Sequence, residues 1–230
     1  MWLSATTWHS FPGIAPVPSG TVKGFSFVVV AGAYRTGSTL QYNLIGTYVE
    51  LLGRGRRIGL VDPDDVQSVV SGWSEPAGFI GVAKSHHVVE GFRPFQRATA
   101  WGELVVSGAA CAVGSLRNEG DVHASMCRKF GLRAGELRDS LLWREAVANS
   151  ARWREIGIFE QQYDTLVEQP VAALRELCAY IGLTWDESAA SISARECGEA
   201  AARRQMASIP PGEYDPVSLL HWDHLRDPVV

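Results

Sequence analysis

The residues best suited to chemistry begin in one stretch, FSFVVVAGAYRTGSTL from Phe25 to Leu40, where an apolar run leads into a glycine-spaced loop and then the start of a helix. Phe25, Phe27, Val28, Val29 and Val30 read as a buried parallel strand, and Gly32 and Gly37 allow a tight turn after it. Amides at the first turn of the following helix, aided by its dipole, suit phosphate or a similar anion. The Gly32-x4-Gly37 spacing is that of a nucleotide phosphate loop, but such a loop continues Gly-Lys-Ser/Thr and this one continues Gly37-Ser38-Thr39. The triphosphate lysine is missing. Arg35, two residues before the second glycine, offers a guanidinium fork to an anionic oxygen instead. The loop suits a phosphorylated ligand other than ATP with magnesium, although a plain strand-to-helix turn uses the same glycines.

Three more strings each follow an apolar run. Lys84-Ser85-His86-His87 follows FIGVA, and in an extended chain Lys84 and His86 project to one side while His87 points away. A lysine can hold developing negative charge and a histidine can take a proton at neutral pH, which suits a charged transfer reaction; the alternative is an ordinary solvated loop end. Arg117 to Ser125, RNEGDVHAS, closes one run and opens a helix with Asp121 as its expected cap, so that Arg117 and Ser125 could form a second phosphate site. Capping plus one surface arginine is the plainer reading. Tyr163-Asp164-Thr165-Leu166 follows GIFEQQ, with an aromatic ring at a strand end that either lies against a base or simply packs.

To position these residues the chain must alternate strands and helices. The pattern predicts a helix over Ser38–Leu52 with Leu40, Leu44, Tyr48, Leu51 and Leu52 on its apolar side, and short strands over Ile58–Val61 and Gly78–Ala83 joined by a polar, acidic connection. It predicts a further run over Ala109–Leu116, helices over Asp121–Phe130 and Ala134–Ile156, and a strand over Gly157–Tyr163. A helix starting at Pro170 and ending at Gly182 follows, then an alanine-rich helix over Asp186–Met206. Such alternation argues for an α/β single domain with a central parallel sheet flanked by helices and the ligand beyond the carboxyl ends of its strands. Residues 1–20 are expected to wrap the body as an arm or to form a disordered leader, residues 21–230 to form the domain, and the tail from about 207 to 230 to cover the site.

At 230 residues and 46% hydrophobic the chain can fill one sizeable core. A formal charge of -4 gives no general attraction to nucleic acid or anionic membrane, so any basic site must be local. Lys23, Lys84 and Lys129 are the only lysines among 21 basic residues, which makes a lysine within a motif less accidental. Cys111, Cys127, Cys178 and Cys197 are scattered and read as buried hydrophobes in a reducing compartment. With no apolar stretch near membrane-spanning length and no basic-then-apolar leader, the expectation is a soluble, cytoplasmic protein with no membrane span.

Taken in order, the four strings resemble the sulfotransferases that use 3′-phosphoadenosine 5′-phosphosulfate (PAPS), over about residues 25 to 183. RTGST at Arg35 to Thr39 is similar to the family's 5′-phosphosulfate loop, Lys84-Ser85-His86 to its Lys-x-His, and Arg117 through Ser125 to its Arg-Asn-x-x-Asp-Val-x-x-Ser. YDTLVEQPVAALRELCAYIGL is similar to its Tyr-Glu-Asp-Leu segment and the Pro-containing helix after it. The resemblance implies a P-loop NTPase-like sulfotransferase architecture, PAPS as donor, adenosine 3′,5′-bisphosphate (PAP) as product, and no metal. It implies that Arg35, Lys84 and the amides of Thr36, Gly37, Ser38 and Thr39 stabilise the transferring group and the leaving 5′-phosphate. His86 would deprotonate the acceptor, Arg117 and Ser125 would hold the 3′-phosphate, and Tyr163 would help hold the adenine.

The chain also departs from the family. The cytosolic small-molecule branch has lysine at Arg35 and tryptophan at Leu40, so the adenine needs another aromatic, for which Trp73 is the candidate. Arginine does not readily give up a proton, so leaving-group protonation by residue 35 does not carry over. The branch's Arg-Lys-Gly near the C-terminus is absent. The tail's HWDHLRD, with His221, His224 and Arg226, either closes the site or packs, and packing is favoured over weak metal spacing. The acceptor is expected to be a small or glycosidic molecule bearing a hydroxyl, less readily an amine, among loops 62–76 and 88–100 and the tail. Trp73, Phe92, Phe95 and Trp101 either line that pocket or belong to the core. The oligomeric state is not legible. Two other classes remain: a nucleotide-binding relative that serves as a regulatory or scaffold subunit, and a P-loop kinase.

Overall fold

A computed structural model describes residues 24–86 and 100–222. Five parallel strands form one sheet, β1 (Phe27–Ala31), β2 (Gly55–Leu60), β3 (Ile80–Lys84), β4 (Ala110–Leu116) and β5 (Phe159–Gln162), in the spatial order β2-β3-β1-β4-β5. β1 is central and wholly buried, as its unbroken apolar sequence requires, and pairs in register with β3 (Val30 opposite Lys84) and β4 (Ala31 opposite Gly114).

Alternate strand residues feed two cores. Val28, Val30, Val82, Cys111 and Val113 face α1 (Ser38–Leu51), α8 (Pro170–Ile181) and α9 (Glu187–Cys197). Phe27, Val29, Ala31, Ala83, Ala110 and Ala112 face the other way, toward Val66 of α2 (Val66–Ser71), Trp101 of α3 (Ala100–Val106) and Trp153 of α6 (Leu141–Glu155). A third cluster, Ala33, Val122, Met126, Leu137 and Ala146, joins the loop after β1 to α4 (Glu119–Phe130), α5 (Ala134–Asp139) and α6. The short α7 (Tyr163–Glu168) follows β5, and α10 (Glu199–Met206) follows α9.

The sheet, the first crossover helix and the Pro170 helix agree with the sequence reading, while several details differ. The core stripe of α1 is Tyr42, Ile45, Tyr48 and Val49, each contributing roughly 1.5–3 kcal/mol by burial, whereas Leu51, the last residue of the helix, is exposed, and β2 starts three residues before the expected Ile58. Leu40 and Leu44 pack sideways against Leu166 and Ala173 instead. The cap of α4 is Asn118, whose side chain accepts from the Gly120 amide at 2.8 Å, so the helix begins before Asp121. The expected helix over 134–156 is two, broken at Ser140, which is extended and whose hydroxyl accepts from the Trp143 amide at 3.2 Å. The helix over 186–206 likewise breaks at Gly198. Tyr163 is not a strand residue but the first of α7.

Trp73 belongs to the core. Its ring lies 5.0 Å from Phe27 and against Gly81, at the amino-terminal ends of β1 and β3, with Arg56 stacked 5.2 Å over it. That is the wrong end of the sheet for an adenine platform. Trp101 is also fully buried, edge-on to Phe27. The carboxyl-terminal segment packs on α1: Tyr42 donates to the Val217 carbonyl at 3.1 Å and Asn43 to that of Ser218 at 2.8 Å, and Leu219 and Leu220 are buried. His221 forms an antiparallel bridge with Tyr214, their ring centroids 5.5 Å apart. Cys111 and Cys178 are buried, Cys127 and Cys197 half-buried, and all four are free thiols. The arm 1–20, His87, Phe92, Phe95, His224 and Arg226 lie outside the described residues.

Candidate active site

Each motif sits where a strand ends. In spatial order along the carboxyl edge, β3 ends in Lys84, β1 runs into the loop with Arg35, β4 is followed by Arg117, and β5 by Tyr163. Neighbouring strands therefore bring four separate strings into one row, and the contacts follow that order.

The loop turns through Gly37, the residue before α1, at φ 107°. A Cβ there would lie 2.3 Å from Cδ2 of Tyr163, so both conformation and space require glycine. Arg35 is also left-handed, at φ 66°, a costly conformation for a side-chain-bearing residue. It throws the side chain toward α4, where Nε donates to Ser125 Oγ at 2.9 Å. Thr36, Ser38 and Thr39 are buried; Thr36 Oγ1 donates to the Ala33 carbonyl at 3.0 Å and accepts from Ser115 at 3.4 Å.

Lys84 is 7% exposed, and its Nζ donates to Thr39 Oγ1 at 2.7 Å, on the second residue of α1. Burial, and after it the charge of Arg35, pushes the amine down to about 7. Two cations thus bracket the amino-terminal end of α1, and burial with the charge of Arg35 holds Lys84 short of full charge. His86 follows with Nδ1 3.1 Å from the Gly32 carbonyl. A carbonyl only accepts, so Nδ1 carries a proton, and in the neutral ring that leaves the lone pair on Nε2.

On the other flank the Arg117 guanidinium lies 4.5 Å over the Tyr163 ring, and Nη1 donates to the Arg35 carbonyl at 3.5 Å. Ser125 is buried and bonded to Arg35, so the two expected anion corners are joined by one arginine side chain. Tyr163 has one face under Arg117 and an edge on Gly37, a place that braces the loop. The sequence reading brought together Arg35, Thr36, Gly37, Ser38, Thr39, Lys84, His86, Arg117, Ser125 and Tyr163, and all ten lie in this row.

One neighbour escaped that reading. The Tyr34 ring lies 4.3 Å from the His86 imidazole at 34°, and Phe130 of α4 meets it edge-on at 6.5 Å. Burial first, then the carboxylates of Asp62 and Glu145, raise its hydroxyl above the ordinary tyrosine value. A cavity of about 30 Å³ lies between the loop base (Gly32, Ala33, Thr36), Arg117 and the Trp143–Trp153 face of α6, room for about two waters rather than a nucleotide. Among the described residues no group of three or more metal-ligating side chains gathers, and no helix is long and apolar enough to cross a membrane.

No protein-family model matches the chain, and no curated protein matches it in sequence. Solved structures do resemble it. A mouse sulfotransferase complexed with PAP superposes with a TM-score of 0.53 at 13% identity, over 86% of this chain and 74% of that one. Retinol dehydratase in complex with androsterone and inactive cofactor PAP gives 0.51 at 12%, over 79% of this chain and 66% of that one. Its complex with retinol and PAP gives 0.50 at 12%, over 77% and 66%. The chain thus spans about two thirds to three quarters of the length of these structures. With one parallel sheet, helices on both faces and a glycine-spaced loop at its central strand, the chain has the sulfotransferase fold.

Proposed function

We propose that this protein is a PAPS-dependent sulfotransferase that moves a sulfuryl group to a hydroxyl, less readily an amine, of a small or glycosidic acceptor. The observation that carries the proposal is Lys84: a buried amine held near neutrality beside a second cation, at the amino end of α1, is a place prepared for a strongly anionic group. Similar structures hold PAP, and two also hold androsterone or retinol, which supports an adenosine bisphosphate and a small acceptor. Free thiols in the core suit a reducing, cytoplasmic setting.

In this reading Lys84, Arg35 and the amides of Thr36 to Thr39 hold the 5′-phosphosulfate and draw charge from the transferring oxygens. His86 Nε2 takes the acceptor's proton as the new S–O bond forms, and the electron pair of the breaking S–O bond stays on the leaving 5′-phosphate. Arg117 and Ser125 hold the 3′-phosphate, and Tyr163 keeps Arg117 and Gly37 in place beside the adenine. No metal is needed for these steps. Ser38 stands where a P-loop kinase has its lysine, which disfavours phosphoryl transfer from ATP.

Calorimetric titration with PAP, ADP and ATP, each with and without magnesium, tests this. Tight, metal-independent preference for PAP is the expected result. His86→Ala should keep PAP affinity within about threefold and lower sulfuryl transfer by roughly 10²–10⁴-fold, the worth of a general base. Preference for ATP with magnesium overturns the proposal in favour of a kinase. PAP binding with no transfer in any acceptor screen favours a scaffold.

A further inference from the structure

We propose that Tyr34 is a positioning residue for His86: the donor loop itself holds the base in register, through the Tyr34 ring on the imidazole face and the Gly32 carbonyl on Nδ1. The catalytic part of this statement rests on the reading of His86 as the base; the geometric part stands without it.

Three observations converge. First, His86 lies two residues beyond the end of β3, so the sheet's hydrogen bonds do not fix its ring. Second, two clamps come from the same loop, two residues apart in sequence: Gly32 O at 3.1 Å sets the tautomer and in-plane direction, and the Tyr34 ring at 4.3 Å sets the plane. Third, Tyr34 is itself backed by Phe130 and packs against the cluster of Ala33, Val122, Met126, Leu137 and Ala146, so the clamp is anchored in α4, α5 and α6. The left-handed Arg35 makes this possible, because it lets consecutive side chains leave the loop in different directions, Tyr34 to His86 and Arg35 to Ser125. One loop therefore grips the donor and aims the base, which ties the two reactants' geometries together.

The test uses Tyr34→Phe, Tyr34→Leu and His86→Ala in the full chain. Proton–carbon correlation spectra of histidine-labelled protein locate the His86 ring signals by their loss in His86→Ala. Those signals should be shifted upfield by the Tyr34 ring current, should keep that shift in Tyr34→Phe, and should lose it in Tyr34→Leu. This readout needs no acceptor and stands even if the transferase reading fails. Unchanged His86 signals in a folded Tyr34→Leu protein overturn the proposal.

With an acceptor in hand, Tyr34→Leu should lower kcat about 10- to 100-fold with little change in donor KM, and Tyr34→Phe should restore it to within about threefold. In the His86→Ala background the same leucine substitution should cost less than about twofold, since the ring acts through the imidazole. An equal loss in both backgrounds, or failure of phenylalanine to rescue, overturns the positioning role. Unchanged PAP affinity in Tyr34→Leu excludes simple collapse of the loop.

Discussion

Lys84 should take up a proton when nucleotide binds. Without ligand its amine titrates near 7, held down by burial and by Arg35. A phosphate charge about 4 Å away at an effective dielectric of ~20 is worth about 4 kcal/mol, or about 3 pKa units, carrying the amine back to about 10. At pH 8.5 the amine is then about 3% protonated in the free protein and about 97% in the complex, so binding takes up roughly 0.9 proton. The phosphates of PAP, with second pKa values near 6, are already fully ionised at that pH and add nothing to the count. The bound state holds more protons, so affinity falls as pH rises, by about one decade per unit between pH 7 and 10. The assay is calorimetry of PAP binding at pH 8.5 in buffers of different ionisation enthalpy, where the slope of observed heat against buffer heat counts protons. A slope near 0.9 that vanishes in Lys84→Met is the expected result. Tight binding with a slope below about 0.2 would refute the reasoning, because Lys84 would then be charged already or would not face the phosphate.

Other perturbations follow from the same geometry. The unfolded chain keeps Lys84 protonated up to its ordinary value of 10.5 while the folded one releases the proton near 7, so stability from this group rises with pH above about 7. Urea midpoints of the ligand-free protein from pH 7 to 8.5 should show that rise, and Lys84→Met should flatten it. Arg35→Gly should be more stable than Arg35→Ala by about 1 kcal/mol, since only glycine accepts φ 66° without strain, and both should bind PAP poorly. Equal melting of the two variants would remove the strain argument. Gly37→Ala should destabilise by more than about 1 kcal/mol, because its Cβ meets both a forbidden φ and the Tyr163 ring. Adding Tyr163→Ala should recover the steric part alone. Arg117→Ala should weaken PAP far more than ADP, and equal losses for both would withdraw the 3′-phosphate assignment.

How far the sequence was legible depended on how local each signal was. The loop, Lys84-x-His86, Arg117 to Ser125 and Tyr163 each stand at or after the end of a strand, and parallel topology does the rest, so four separate strings holding ten residues were placed in one row from the sequence alone. Tyr34 was invisible because no spacing within its own string marks it, and its contact is with a residue beyond the end of another strand. Trp73 was misplaced because an aromatic in a polar connection carries no mark of which end of the sheet it covers. The breaks at Ser140 and Gly198 were missed because apolar or alanine spacing ran through them, although a serine cap and a glycine were there to be read. The α1 stripe was shifted by exposed Leu51, since periodicity fixes a face only when the next element's start is known.

The grip of residues 217 and 218 on Tyr42 and Asn43 links remote chemistry to the far end of the described chain. Those two side chains stand one turn along from Ser38 and Thr39, so the segment is a splint on the helix whose first turn receives the Lys84 amine. Clipping the chain ahead of Asp215 would remove both carbonyls together with the buried Leu219 and Leu220, leaving that turn free to fray. Under the proposed function, a purification handle or a protease scar near this segment would register as weakened nucleotide affinity, although nothing had touched the residues proposed to hold the nucleotide.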